Sequence, residues 1–186
     1  MVLQIFDYLC SLNNLVMEIE ELKEMKPAKF GFYYGTIFGG GAFLYHLLAQ
    51  YIGFNTNFFY GLIYSFFVLF SLMWIMKKYI SLQEPEKEIG FSTFMKLGTI
   101  FSLVISFFYL VFSFARIEFI DPNIMNMMVE ISEEVAAEMG MSTVDFAGAD
   151  SIYLYVSFLL TNFLGDFLGN MFYVLILALI LKNRNV

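Results

Sequence analysis

The run LGTIFSLVISFFYLVFSFA, Leu97–Ala115, decides the class of this chain. It passes from Lys96 to Arg116 without a single charge. A helix rises about 1.5 Å per residue and the hydrocarbon core of a bilayer is about 30 Å thick, so about 20 apolar residues cross it. Three other runs have the same character: Phe30–Ile52, Phe58–Met76 and Ile152–Leu181. None of the four alternates with period two, which excludes a transmembrane barrel, and backbone groups in lipid have no water to bond, which requires helices. The fold expected is an all-α integral membrane protein with four transmembrane helices. The fourth run, 30 residues long, exceeds a perpendicular span and is expected to tilt, to break near Gly165 and Gly169, or to begin above the membrane.

Composition agrees with this reading. Of the 186 residues 60% are hydrophobic, 20% aromatic and 15% charged, against about 25% charged in soluble domains. A net charge of -7 and pI ≈ 4.6 exclude a nucleic-acid partner. Cys10 is the only cysteine, so there is no disulfide framework, and its free thiol fits a reducing cytoplasm.

Charge also orients the chain. Lys23, Lys26 and Lys29 precede the first run, Lys77, Lys78, Lys87 and Lys96 lie between the second and third, and Lys182 and Arg184 follow the fourth. Only Arg116 falls on the other side, so the positive-inside rule puts both termini in the cytoplasm. The outer side carries eight acids, from Glu118 to Asp150, against that one arginine.

The chain divides into residues 1–29, a cytoplasmic or interfacial amphipathic helix, and residues 30–186, the four-span domain. The first 29 residues show no cleavable signal pattern and carry a helical stripe of Ile5, Leu9, Leu12, Val16, Ile19 and Leu22. That stripe suits the membrane surface or a docking partner. Outside, about residues 121–147 form an acidic helical segment, started by Asp121-Pro122 and closed by Gly140. Ile124, Met128, Ile131, Val135 and Met139 recur on one face of it. This face either covers the outer mouth of the bundle or receives a partner or apolar substrate.

Helices in lipid associate through small and polar faces. Gly31, Gly35, Gly39, Ala42 and His46 share an arc of about 80° on the first span. Thr99, Ser102, Ser106, Tyr109 and Ser113 share one on the third, and Asn162, Gly165, Asp166, Gly169, Asn170 and Tyr173 one on the fourth. Gly31, Gly35, Gly39, Gly165 and Gly169 are thereby the expected helix-packing positions. Counted from the flanking lysines, His46 lies about 25 Å and Asp166 about 24 Å from the cytoplasmic side, with Tyr60 and Tyr64 at a similar level and Arg116 at about 30 Å. A polar layer in the outer leaflet is expected, made of His46, Tyr60, Tyr64, Asn162, Asp166, Asn170 and Arg116, with Arg116 pairing Asp166. Such a layer is either functional or a structural register device, since an unpaired intramembrane charge costs about 2.5–3.5 kcal/mol even on insertion scales.

Soluble chemistry is missing from the sequence. One His and one Cys make no metal site of the usual pattern, and no P-loop, nucleophile elbow or HExxH occurs, so neither a metal, a cofactor nor a lone enzyme is expected.

The stretch Gly90-Phe91-Ser92-Thr93-Phe94-Met95-Lys96-Leu97-Gly98, the exit Phe119-Ile120-Asp121-Pro122-Asn123 and the segment Met139-Gly140-Met141-Ser142 together resemble a family catalogued as domain of unknown function 4199. The resemblance runs from about Phe30 to Leu181, with Met95 standing where that family usually has an aromatic. It implies four spans, an acidic outer helix and the bacterial inner membrane, and it carries no catalytic residues. It also implies a loose neighbourhood with membrane glycosyltransferases. Three functions are therefore expected as alternatives: a non-catalytic subunit or scaffold of an inner-membrane complex, bound to lipid and to other membrane subunits or itself; a small proton-coupled transporter or channel using Asp166 and His46; and an accessory protein for lipid-linked sugar transfer.

Overall fold

A computed structural model describes residues 21–56, 58–83, 89–121 and 150–182, together with 123, 124, 126, 127, 129, 130 and 134. The described residues are helical and contain no strand. Four long helices carry the chain: α1 (Pro27–Tyr51), α2 (Phe58–Leu82), α3 (Phe91–Ala115) and α4 (Asp150–Leu181). Of the amphipathic stripe expected in residues 1–29 only Leu22 is described, and it is buried in the core; Ile5, Leu9, Leu12, Val16 and Ile19 lie outside the described residues.

Local chemistry sets the helix ends. Lys26 is extended, as the residue before a proline must be, and Pro27 occupies the first turn of α1, where its missing N–H is no loss. At the other end Gly53 takes φ +71, a left-handed conformation that glycine adopts without strain. It closes α1 with Ile52 N–H on Leu48 O at 3.0 Å and its own N–H on Gln50 O at 3.2 Å. The chain then turns through Phe54–Thr56 straight into α2. Beyond Ala115, α3 continues as a wider π turn over Arg116–Ile120, in which Asp121 N–H reaches Arg116 O at 2.8 Å.

Three helical stretches are long and apolar enough to cross a membrane: Phe58–Leu82, Phe91–Ile120 and Tyr155–Leu181. These make the chain a membrane protein. α1 is also 25 residues long, but it falls outside that group because its glycines, tyrosines and His46 dilute its hydropathy. The break expected near Gly165 and Gly169 does not occur. α4 runs unbroken for 32 residues, about 48 Å, because nothing in the helix interior of that stretch removes a backbone donor.

α3 is central, with α1 against one side and α4 against another. Gly31 lies on the backbone of Leu97, Gly35 on Phe101 and Val104, and Gly39 on the ring of Phe108, so a Cβ at any of the three would press into α3. Gly98 does the same service in reverse, receiving Val174 of α4 and Met76 of α2. The apolar core fills the end of the bundle near Lys77, Lys96 and Lys182, with Phe30, Leu72, Ile75, Met76, Leu97, Phe101, Val174 and Ala178 among its members. At the opposite end α2 and α4 draw away from each other. There, a Cβ on Gly165 or Gly169 would meet nothing within 4 Å. Among the described residues, therefore, no helix packs on these two glycines. They face open space because α3, not α2, is the neighbour that holds α4.

Gly31→Ala should lower the thermal stability of the purified protein by about 1–3 kcal/mol, the usual cost of overpacking, whereas Gly40→Ala, with nothing within 4 Å, should leave it unchanged or raise it. Melting both variants in the same detergent checks the difference; equal melting temperatures would remove the glycine seam.

Candidate functional site

The open end between α2 and α4 holds a cavity of about 380 Å³. α1 contributes His46, α2 Tyr60, Gly61, Tyr64 and Ser65, α3 Tyr109, and α4 the face from Thr161 to Tyr173. Six of the seven residues expected in the polar layer line it: His46, Tyr60, Tyr64, Asn162, Asp166 and Asn170. They converge because helical spacing puts them at one depth. Ser106 lies 15 residues into α3 and Asp166 15 residues from the end of α4, each about 23 Å from the lysine-flanked end.

Asp166 is held from two helices. Ser106 Oγ donates to its Oδ2 at 2.6 Å across the α3–α4 interface, and Asn170 Nδ2 donates to the same oxygen at 2.9 Å from one turn along α4. Asn170 is buried and also lies 3.4 Å from Ser106 Oγ, which closes a three-membered network. The Tyr64 hydroxyl is buried next to the carboxyl and interacts with it, though it closes no hydrogen bond of good geometry among the described residues. Asn162 turns back on its own helix, donating to Phe158 O at 2.9 Å.

His46 sits in an aromatic cage. Its ring stacks on Phe112 at 5.0 Å and lies 4.6 Å from Tyr64 and 5.0 Å from Tyr109, centroid to centroid. Nδ1 and the Tyr60 hydroxyl share a 2.5 Å hydrogen bond, while Tyr45 anchors the start of α2 by donating to Tyr60 O at 2.8 Å. With the residue 1% exposed, Nε2 is buried and has no partner among the described residues. A buried ring nitrogen without a partner is costly, and His46 lines a polar cavity from which one could come.

Arg116 does not pair Asp166: no ion pair joins them among the described residues. Ten residues separate Ser106 from Arg116 on α3, which lifts Arg116 about 15 Å above the carboxylate. It stands above the cavity, close enough to act electrostatically on Tyr60 and Tyr109. Ser106 takes the place expected for it, and the serine-rich stripe of α3 was the signal. Tyr45 had no such signal, because its role rests on a backbone oxygen. Among the described residues no three His, Cys, Asp or Glu side chains gather as a metal site. Of the outer face expected to receive a partner, Ile124 is half-buried, with its N–H on Asp121 O at 3.2 Å; Met128, Ile131, Val135 and Met139 lie outside the described residues.

The family model described as Protein of unknown function (DUF4199) matches residues 33–181, which span the cavity and all four helices that build it. The chain belongs to that family. No curated protein and no solved structure matches it.

Replacing Asn170 by Leu should destabilise the protein by about 1–3 kcal/mol, since it strips a donor from a buried carboxyl. The loss should shrink in an Asp166→Leu background. A double-mutant cycle measured by denaturation in detergent checks this, and additive losses would show that the network is not coupled.

Proposed function

We propose that this protein is a four-span transporter or channel of small size, coupled to protons through Asp166 and His46, in the inner membrane of a bacterium with both termini in the cytoplasm. One observation carries the reading: a carboxyl and an imidazole with an unpartnered nitrogen line one cavity at membrane depth. An ionisable pair in that position is the arrangement a proton relay requires, and intramembrane ionisable residues are functional candidates by default. α1 completes the bundle as the fourth span. Its length of about 37 Å matches its neighbours, and its glycines turn its least apolar side toward α3. The lysines that flank the closed end support a cytoplasmic placement of that end.

The transported species would enter from the open end, since the core at the lysine-flanked end is packed solid. Tyr60, Tyr64 and Tyr109 line the same cavity as Asp166 and His46, and the Tyr60 hydroxyl bonds His46. No part of this reading needs a cofactor.

A second reading, a non-catalytic subunit or scaffold, is favoured by Gly165 and Gly169. They are exposed on a face of α4 that also presents Leu168 at 64% and Phe172 at 61% exposure, a surface a neighbouring helix could cover. Purification in mild detergent that always yields a lone monomer would count against it. The accessory role in lipid-linked sugar transfer has no observation of its own here.

Wild-type protein in sealed proteoliposomes should acidify the lumen when an inward proton gradient is imposed, as read by a trapped pH dye. Asp166→Asn should abolish that flux while keeping the wild-type melting profile. Flux equal in both would sink the proton-coupled reading.

A further inference from the structure

Beside the polar cavity runs a second space, of about 460 Å³, lined by Phe58, Leu62, Phe66 and Leu69 of α2. The two spaces are continuous in their walls: Gly61, Ser65 and Tyr173 line both. One half is therefore rich in hydroxyl, amide and carboxyl groups, and the other is a furrow of aromatic and aliphatic side chains. Phe58 is 80% and Phe66 50% exposed, so the furrow opens sideways, where hydrocarbon surrounds a transmembrane helix. A solute from water alone would fill the first half and leave the second without purpose.

We infer that this composite site binds an amphiphile that enters laterally between α2 and α4, its uncharged hydroxyl-bearing head in the polar cavity and its chain along the furrow of α2. Charge selects the head. Among the described residues no lysine or arginine lines either space, so a phosphate or carboxylate head would meet no cation there. The Asp166 carboxyl already takes donors from Ser106 and Asn170, so it does not need a cation to settle it. Hydroxyls both donate and accept, which matches a lining that offers His46, whose Nε2 has no partner among the described residues, the Tyr64 hydroxyl and the Asp166 carboxyl from three helices. The cavity volume falls at the low end of ordinary ligand sites, enough for a small head. Gly61, Gly165 and Gly169 keep the entrance free of side chains, since a Cβ on any of them would meet nothing within 4 Å. The inference rests on the transport reading for its purpose, not for its geometry.

The experiment uses the full chain in phosphatidylcholine vesicles with two photoreactive probes that carry the same diazirine-bearing chain, a monoacylglycerol and a lysophosphatidic acid. The monoacylglycerol should label Leu62, Phe66 and Leu69 in preference to other lipid-facing residues, as read by peptide mass spectrometry. The phosphorylated probe should label them roughly tenfold less, the loss expected when a hydrogen-bonded head is replaced by a charged one that meets no cation. Gly165→Leu, which adds a side chain to the cavity at a position where a Cβ meets nothing within 4 Å among the described residues, should cut labelling by a similar factor, while Gly40→Leu, which lines neither space, should not. Even labelling around the bundle, equal labelling by both probes, or indifference to Gly165→Leu would each overturn the inference. Proton flux that depends on Asp166 without Gly165-sensitive labelling would overturn the amphiphile and leave proton coupling standing with another cargo. Gly165-sensitive labelling without such flux would support the amphiphile and overturn transport.

Discussion

The close approach of α1 to α3 is the constraint from which the rest of the architecture follows. Three glycines one turn apart let the backbone of α1 lie on Leu97, Phe101 and Val104, with Gly39 on the Phe108 ring. In lipid there is no hydrophobic drive between helices, so dispersion contacts made by such close packing carry association. Once α1 occupies that side of α3, the other side is left for α4, seated on Gly98 through Val174. α2 then has no broad face of α3 to cover. It joins the bundle through Leu72, Ile75 and Met76 at the inner end and diverges from α4 at the outer end. The cavity lies where apolar packing between α2 and α4 gives out and α2 is held by its turn from α1 and by polar contacts instead.

A polar lining is tolerable there because its carboxyl and one nitrogen of its imidazole are hydrogen-bonded. The Asp166 carboxyl would be costly in a low dielectric by itself, but Ser106 and Asn170 both donate to it, one from α3 and one from its own helix. His46 gains its bond from Tyr60 on α2, the helix that is otherwise loosely held. The Tyr45 bond to the Tyr60 backbone adds a second tie between the same two helices. Polar contacts thus fix the outer end of α2 where apolar packing does not, and the site and the fold share the same bonds.

Much of this was legible in the sequence. Uncharged runs of about 20 residues announce spanning helices, and glycines repeating every fourth residue on α1 announce a close seam, because both signals follow from one helix considered alone. The same repeat on α4 misled. Gly165 and Gly169 have the spacing of a packing face, yet spacing says only that side chains are small on one side, and smallness serves a cavity as well as a contact. The pairing of Asp166 with Arg116 failed for a related reason. Depth measured from lysines placed the two within a side chain's length, but a serine at the carboxylate's own level on α3 competes at far shorter range. Which residues share a layer can be counted along each helix; which of them touch depends on helix rotations that no single helix encodes.

The hydropathy of α1 carries the argument one step further. It is the helix too poor in apolar residues to meet the criterion the other three satisfy, and it is also the one that buries its glycines and His46 against α3. Phe32, Leu44 and Leu48 remain exposed on its outer side, at 59%, 59% and 64%. A low mean with an apolar outer stripe is the profile of a helix that gives its small and polar residues to a protein neighbour and keeps its large apolar ones on the other side. Placing the imidazole there rather than on α2 matters for the site. A ring on α1 is held between α1 and α3, with Phe112 stacked on it and Tyr109 beside it, and it meets α2 through Tyr60 and Tyr64. Asp166 takes its hydrogen bonds from α3 and from its own helix, and His46 takes its bond from α2. The imidazole and the carboxyl thus stand on α1 and α4, each against α3, and α2 supplies the remaining wall of the cavity they line.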